Sequence, residues 1–212
     1  YYYFKFISIN IIKMNTEKRY KLNPTLARSS PILYFYALLL YCIIQPSYSS
    51  LYLFITFNII VISNILLKYI SKSIYSLFNI ETIPLLGIGK RPENATSCGT
   101  YLDGLLSTTY GMPSGHSQIA WSVAIYFILK IIKNWYNNDK ENKPITIIGY
   151  IWIILSCIII LGIATYISYS RVYIEGCHTI QQVIIGGILG CVMGFLVFFF
   201  ETPVINLLSS IY

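Results

Sequence analysis

The chain holds two imidazoles, His116 and His178, and each stands where an apolar stretch begins. His116 lies in Gly111-Met112-Pro113-Ser114-Gly115-His116-Ser117, and His178 closes Ser170-Arg171-Val172-Tyr173-Ile174-Glu175-Gly176-Cys177-His178. A helix start presents free N–H groups and the positive end of its dipole, so Ser114 and Gly115 offer an anion backbone donors and a hydroxyl. Gly115, without a side chain, lets that anion come close. Arg91 and Arg171 can each hold two phosphate oxygens in a planar fork, and Lys90 adds a point charge. Such groups make a phosphate pocket with two imidazoles in it, and imidazole near neutral pH serves as nucleophile and as proton donor. The chain has two Asp, Asp103 and Asp139. It therefore lacks the carboxylate clusters that hold paired Mg²⁺ ions and any Asp-x-Asp-x-Thr nucleophile, and it carries no Walker loop. Chemistry falls to His, Arg and Lys, with no metal and no cofactor expected.

The elements that must position these groups are membrane spans. Of 212 residues, 56% are hydrophobic and 11% charged, against roughly a quarter charged in a soluble domain, and the mean hydropathy is +0.63. The charges bound four uncharged runs, 29–67, 104–129, 144–170 and 176–200, each long enough for the ~20 residues of a span. The first is long enough for two, with Gln45-Pro46-Ser47-Tyr48-Ser49-Ser50 as the turn. Five helices are expected, at about 31–45, 50–67, 117–132, 145–168 and 179–200, with an interfacial segment over 69–78 and a Gly- and Pro-rich loop over 81–116. Lys68 and Lys72 are expected to snorkel at the end of the second helix. The fold class is all-α, a polytopic transmembrane bundle with a phosphate pocket at one face. Residues 1–28 form a basic tail, of which 1–13, preceding Met14, are an expected non-native extension, and 29–212 form one membrane-embedded domain. The +7 charge comes without a basic stripe interleaved with aromatics, so the expected partners are the bilayer and a lipid substrate, not nucleic acid.

Arg91-Pro92, Pro113-Ser114-Gly115-His116 and Ser170-Arg171 with His178 resemble, in order and spacing, the three signature motifs of the type-2 phosphatidic acid phosphatase superfamily. Within it, Gly111-Met112-Pro113-Ser114 followed by His116-Ser117-Gln118 and Trp121, and Ser170-Arg171-Val172-Tyr173 followed by His178-Thr179 and Gln182-Val183, are most similar to the dolichyldiphosphatase branch. The resemblance covers about 85–190. It implies metal-free removal of phosphate from a lipid: His178 attacks phosphorus to give a phosphohistidine, Lys90, Arg91, Ser114, Gly115 and Arg171 hold the equatorial oxygens, and His116 protonates the leaving oxygen. A polyprenyl diphosphate is the implied substrate, with phosphatidate or another lipid monoester as the enzymatic alternative and an anion- or lipid-binding scaffold as the non-enzymatic one. The chain departs from the pattern in three places. The Lys expected seven residues before Arg91 is Pro84, which leaves Lys90. Six residues separate Arg171 from His178 where five are usual, so that loop must bulge, and Gly176 permits it. Gln182 stands where the family often has Asp.

Plainer roles stand beside these. Gln182 either orients His178 or closes a capping box with Thr179. Arg91 and Arg171 are alternatively interfacial anchors, Tyr110, Tyr166, Tyr169 and Tyr173 an aromatic belt, and Glu175 a solvated loop charge. Cys98 and Cys177, both on the active face, either pair or remain thiols. The distribution of Lys and Arg favours a cytosolic active face, whereas the resemblance implies a lumenal one in the endoplasmic reticulum or another endomembrane. Asn94-Ala95-Thr96 is a glycosylation sequon close to Arg91.

Overall fold

The computed structural model describes residues 25–93, 95, 109–140 and 146–211, with side chains at 138–140 and 211 left aside. The expected extension 1–13, the tail up to residue 24, Cys98, Asp103 and the sequon's Asn94 and Thr96 lie outside the described residues. Five helices among the described residues are long and apolar enough to cross a membrane: α1 (Thr25–Ile44), α2 (Tyr48–Leu77), α3 (Gly115–Lys140), α4 (Ile147–Tyr169) and α5 (Ile180–Ile211). The protein is an integral membrane helical bundle. Among the described residues the one addition to an all-helical fold is a small antiparallel hairpin, β1 (Thr82–Ile83) with β2 (Gly87–Ile88), in which Thr82 pairs with Ile88 and Ile83 with Gly87.

Local sequence explains where the helices start and why several outrun their expected ends. Ser47 caps α2 by accepting from the Ser50 N–H at 3.1 Å while Ser50 Oγ accepts from the Ser47 N–H at 3.0 Å, so the turn leaves neither donor unsatisfied. Pro31 offers no N–H to the Ala27 carbonyl, and the Ser30 hydroxyl takes it at 2.9 Å, which keeps α1 helical through the proline. No Gly or Pro occurs between Pro46 and Pro84, so α2 continues unbroken to Leu77 and absorbs the separate interfacial segment expected over 69–78. The stretch from His116 to Lys143 also lacks both residues, and α3 runs to Lys140 instead of ending near 132. α5 passes Glu201, where charge was expected to end the span. That carboxylate is buried inside the bundle, where it accepts from Lys130 Nζ at 2.5 Å and Ser49 Oγ at 2.8 Å.

α3 is the central helix. Its Ala120 and Ala124 pack with Ala27 of α1 and with Ala164 and Ile167 of α4, while Ile119 and Tyr126 join Leu38, Leu53, Phe57 and Ile60 from α1 and α2. The closest approach is to α5. A Cβ on Gly186 would sit 2.5 Å from the Ser114 carbonyl oxygen, and Cβ atoms on Gly190 and Gly194 would strike the Gln118 and Ser122 carbonyls as directly. This four-residue glycine spacing lets the two backbones touch, the means by which helices associate where burial of apolar surface offers little drive. The outer faces carry Leu, Ile and Phe, above all on α4, as lipid contact requires.

Candidate active site

Every group picked out for phosphate chemistry within the described residues lies at one end of the bundle, where α3 and α5 start and α4 ends. His178 stands two residues before α5. Its Nδ1 lies 2.9 Å from Gln182 Oε1. Gln182 also donates from Nε2 to the Ile88 carbonyl at 2.8 Å and the Lys90 carbonyl at 2.6 Å. Because carbonyls only accept, these bonds fix which end of the amide faces His178, and Nδ1 must carry the proton. The Nε2 lone pair is then left facing Arg91, whose Nη1 is 3.3 Å away. Burial first, then the positive charges of Arg91 and Lys68, hold the His178 pKa well below the ordinary histidine value. The ring is neutral at physiological pH. Gln182 Oε1 further accepts from the Thr179 N–H at 3.3 Å while Thr179 Oγ1 accepts from the Gln182 N–H at 3.3 Å, so a single side chain fills both roles weighed for it.

The six residues between Arg171 and His178 are accommodated by a π-helical turn, Ser170–Ile174, followed by Gly176 at φ +62°. The wider turn frees the Arg171 carbonyl to accept from the N–H groups of Cys177 at 3.0 Å and His178 at 3.2 Å, which draws the imidazole back to the bundle. Arg171 is fully buried, and its Nη2 donates to Glu175 Oε1. Glu175, expected as a solvated loop charge, is buried instead: its side chain is 2% exposed, and it also accepts from Ser170 Oγ at 2.9 Å and from Arg28 Nε at 2.8 Å. His116, at the second residue of α3, has Nε2 3.1 Å from the Arg28 carbonyl. A carbonyl partner requires that Nε2 carry a proton. The two histidines thus present opposite states, a lone pair on one Nε2 and a proton on the other.

Ser114 Oγ is buried and makes no hydrogen bond within the described residues, whereas the Ser114 N–H is committed to the Gln182 carbonyl at 3.0 Å. The hydroxyl alone is available to an anion. A Cβ on Gly115 would lie 2.7 Å from Asn64 Oδ1, so any larger residue there would have to displace the Asn64 amide of α2. Arg91 Nε and Nη2 donate to Thr109 O and Oγ1 at 3.2 and 2.9 Å, and Nη1 donates to the Cys177 carbonyl at 3.0 Å, bracing the two loops against each other. Lys90 contributes its carbonyl to Gln182; its side chain is exposed and lines a neighbouring cavity of 650 Å³ with Lys72, Tyr75 and Tyr110.

Two further cations, Lys68 and Arg28, stand at the site. Lys68, expected to snorkel, donates to the Tyr110 carbonyl at 3.0 Å and lies within electrostatic reach of Arg91 and both imidazoles. It stands 23 residues before Arg91, and the end of α2 and the hairpin fill the interval, so counting back seven residues misses it. Arg28, assigned to the tail, lies in the first turn of α1 against Glu175. Cys177 is in a disulfide; Cys42, Cys157 and Cys191 are free.

Residues 50–203 match the PAP2 superfamily. The chain is 34% identical to human dolichyldiphosphatase 1 over 101 residues, covering 48% of this chain and 40% of the relative. It is 31% identical to the dolichyldiphosphatase of Saccharomyces cerevisiae over 110 residues, covering 52% and 41%, and 33% identical to dolichyldiphosphatase 1 of Dictyostelium discoideum over 92, covering 43% and 36%. The matches span about two fifths of these relatives. No solved structure matches. With a family match over most of its length and all three motifs converging at one end of a helical membrane bundle, the chain belongs to the PAP2 superfamily, and its curated relatives lie on the dolichyldiphosphatase branch.

Proposed function

We propose that this protein hydrolyses a polyprenyl diphosphate of the dolichyl kind to the monophosphate through a phosphohistidine, without a metal. The observation that carries this reading is the opposed state of the two imidazoles: a neutral His178 with its Nε2 lone pair beside Arg91 and Lys68, and His116 with a proton on Nε2. His178 Nε2 attacks the terminal phosphorus and the bond to the bridging oxygen breaks. His116 acts here as the imidazolium, which the negative charge of the bound phosphate favours: it exchanges the Arg28 carbonyl for that oxygen, gives it the Nε2 proton and is left neutral. Water, deprotonated by His116, then attacks the phosphohistidine, releasing inorganic phosphate and restoring both rings. Arg91, Arg171, Lys68 and the Ser114 hydroxyl stabilise the charge on the equatorial oxygens, and such stabilisation is the larger part of phosphoryl-transfer catalysis. Similarity to dolichyldiphosphatases supports a diphosphate as substrate. The disulfide at Cys177 supports an active face in an oxidising lumen, of the endoplasmic reticulum or a related membrane.

The test is phosphate release in EDTA from a polyprenyl diphosphate, phosphatidate and a sphingoid phosphate. The diphosphate should turn over fastest, vanadate should inhibit as a trigonal-bipyramidal mimic, and the quenched enzyme should carry acid-labile, base-stable phosphate. Strict dependence on Mg²⁺, or His178→Ala activity within about tenfold of wild type, would remove the mechanism.

A further inference from the structure

The cations of the site are distributed between two sides. Arg91 lies on the nucleophile's side, 3.3 Å from His178 Nε2. Arg28 lies on the other: its carbonyl is 3.1 Å from His116 Nε2, the atom to which the reading above gives the protonation of the departing oxygen. Its guanidinium is held by Glu175 Oε2 at 2.8 Å, and the other oxygen of that carboxylate binds Arg171 Nη2 and Ser170 Oγ. One carboxylate, 2% exposed, thus carries two guanidinium groups, of which Arg171 is fully enclosed while the Arg28 side chain keeps 17% exposure. A buried anion between two cations leaves a net positive charge and fixes the direction of each fork.

What lies beyond the leaving oxygen depends on the substrate. A monoester places carbon there, which a guanidinium does not bind. A diphosphate places a second, anionic phosphate there. We propose that Arg28, held by Glu175, binds the phosphate of the leaving group and selects diphosphates over monoesters. Arg28 is a specificity residue and Glu175 a positioning residue, and the assignment rests on the diphosphate reading given above.

The experiment measures kcat/KM on a polyprenyl diphosphate and on the matching polyprenyl monophosphate for wild type, Arg28→Gln and Arg28→Lys in detergent. A hydrogen-bonded charge of this kind is worth about ten- to hundredfold. Arg28→Gln should lose that factor on the diphosphate and less than about threefold on the monophosphate, with Arg28→Lys, which keeps the charge without the fork, between the two. As a readout independent of turnover, methylenediphosphonate should compete more tightly than inorganic phosphate against wild type, and Arg28→Gln should abolish that advantage. Equal losses on both substrates would make Arg28 a structural clamp between α1 and the π-turn and would overturn the proposal, as would no loss on either. If Arg28→Gln does not fold, the same ratios in Arg28→Lys decide. A wild-type enzyme that hydrolyses the monophosphate and not the diphosphate would instead remove the diphosphate reading itself, which separates the two failures.

Discussion

Two histidines of identical chemistry present opposite Nε2 states because each has one oxygen neighbour that can only accept. Gln182 Oε1 takes the Nδ1 proton of His178, and the Arg28 carbonyl takes the Nε2 proton of His116. Burial, Arg91 and Lys68 all disfavour the imidazolium of His178, so its pKa lies below the ordinary 6.5. A depressed pKa keeps His178 unprotonated as pH falls, and if His178 attacks phosphorus as proposed, the acid limb of kcat/KM, which reports the free enzyme, should lie below the usual histidine range. Removing the Arg91 charge relieves one of the three causes. Arg91→Gln should therefore lower kcat/KM and also move the acid limb to higher pH. An unmoved limb would show that Arg91 does not act on the ionisation of His178. Gln182→Leu removes both the acceptor and the two carbonyl anchors, and it should cost about 1–3 kcal/mol in stability by leaving buried carbonyls unpaired, seen as a lower thermal midpoint in detergent.

At the scale of the helix, the site depends on the seam between α3 and α5, since each delivers one histidine from its start. Gly186, Gly190 and Gly194 set that seam, and the Ser114 N–H bond to the Gln182 carbonyl closes it at the end that holds the two histidines. Overpacking at such a contact costs about 1–3 kcal/mol. Gly190→Ala should lower the midpoint of unfolding in detergent and reduce activity on every substrate alike, because it moves both imidazoles at once. Gly162, in α4, has nothing within 4 Å of an added Cβ. Gly162→Ala should be neutral or slightly stabilising, since alanine is the better helix former. Equal effects of the two substitutions would show that α3 and α5 do not touch as described. Ser117 secures the same region from below, with its hydroxyl 3.0 Å from Ser168 of α4 and donating to the Val183 carbonyl of α5 at 2.9 Å.

Across the whole molecule, polar groups collect at the two ends of an apolar bundle: the site at one end and the Glu201, Lys130 and Ser49 cluster toward the other. Sidedness decides the chemistry available to the loops. Cys177, bonded in a disulfide, immediately precedes His178, and its carbonyl receives Arg91. Mass spectrometry of peptides prepared under a thiol block and without reduction should recover Cys98 joined to Cys177. Reduction should lower activity by freeing the loop that holds His178 and Arg91. Full alkylation of both thiols in the unreduced protein would place this face in a reducing compartment.

The spans were legible because a hydrocarbon core demands about 20 apolar residues and tolerates few charges, a condition written along the chain and read without a fold. The motifs around His116 and His178 were legible for a similar reason: helix starts, glycines and cationic neighbours are local features. What required the tertiary structure were pairings between segments distant in sequence. Arg28 and Glu175 are 147 positions apart, and no periodicity joins the first turn of α1 to the loop before α5. Lys68 was displaced from its expected spacing by the hairpin, although its charge at the end of an apolar run was visible. In the sequence Gln182 has two roles to choose between; its second pair of partners, the carbonyls of Ile88 and Lys90, fixes the amide so that Oε1 serves both. The glycines of α5 appear in the sequence as four-residue repeats, but their purpose depends on which helix lies opposite, and that is decided by how five apolar helices pack together.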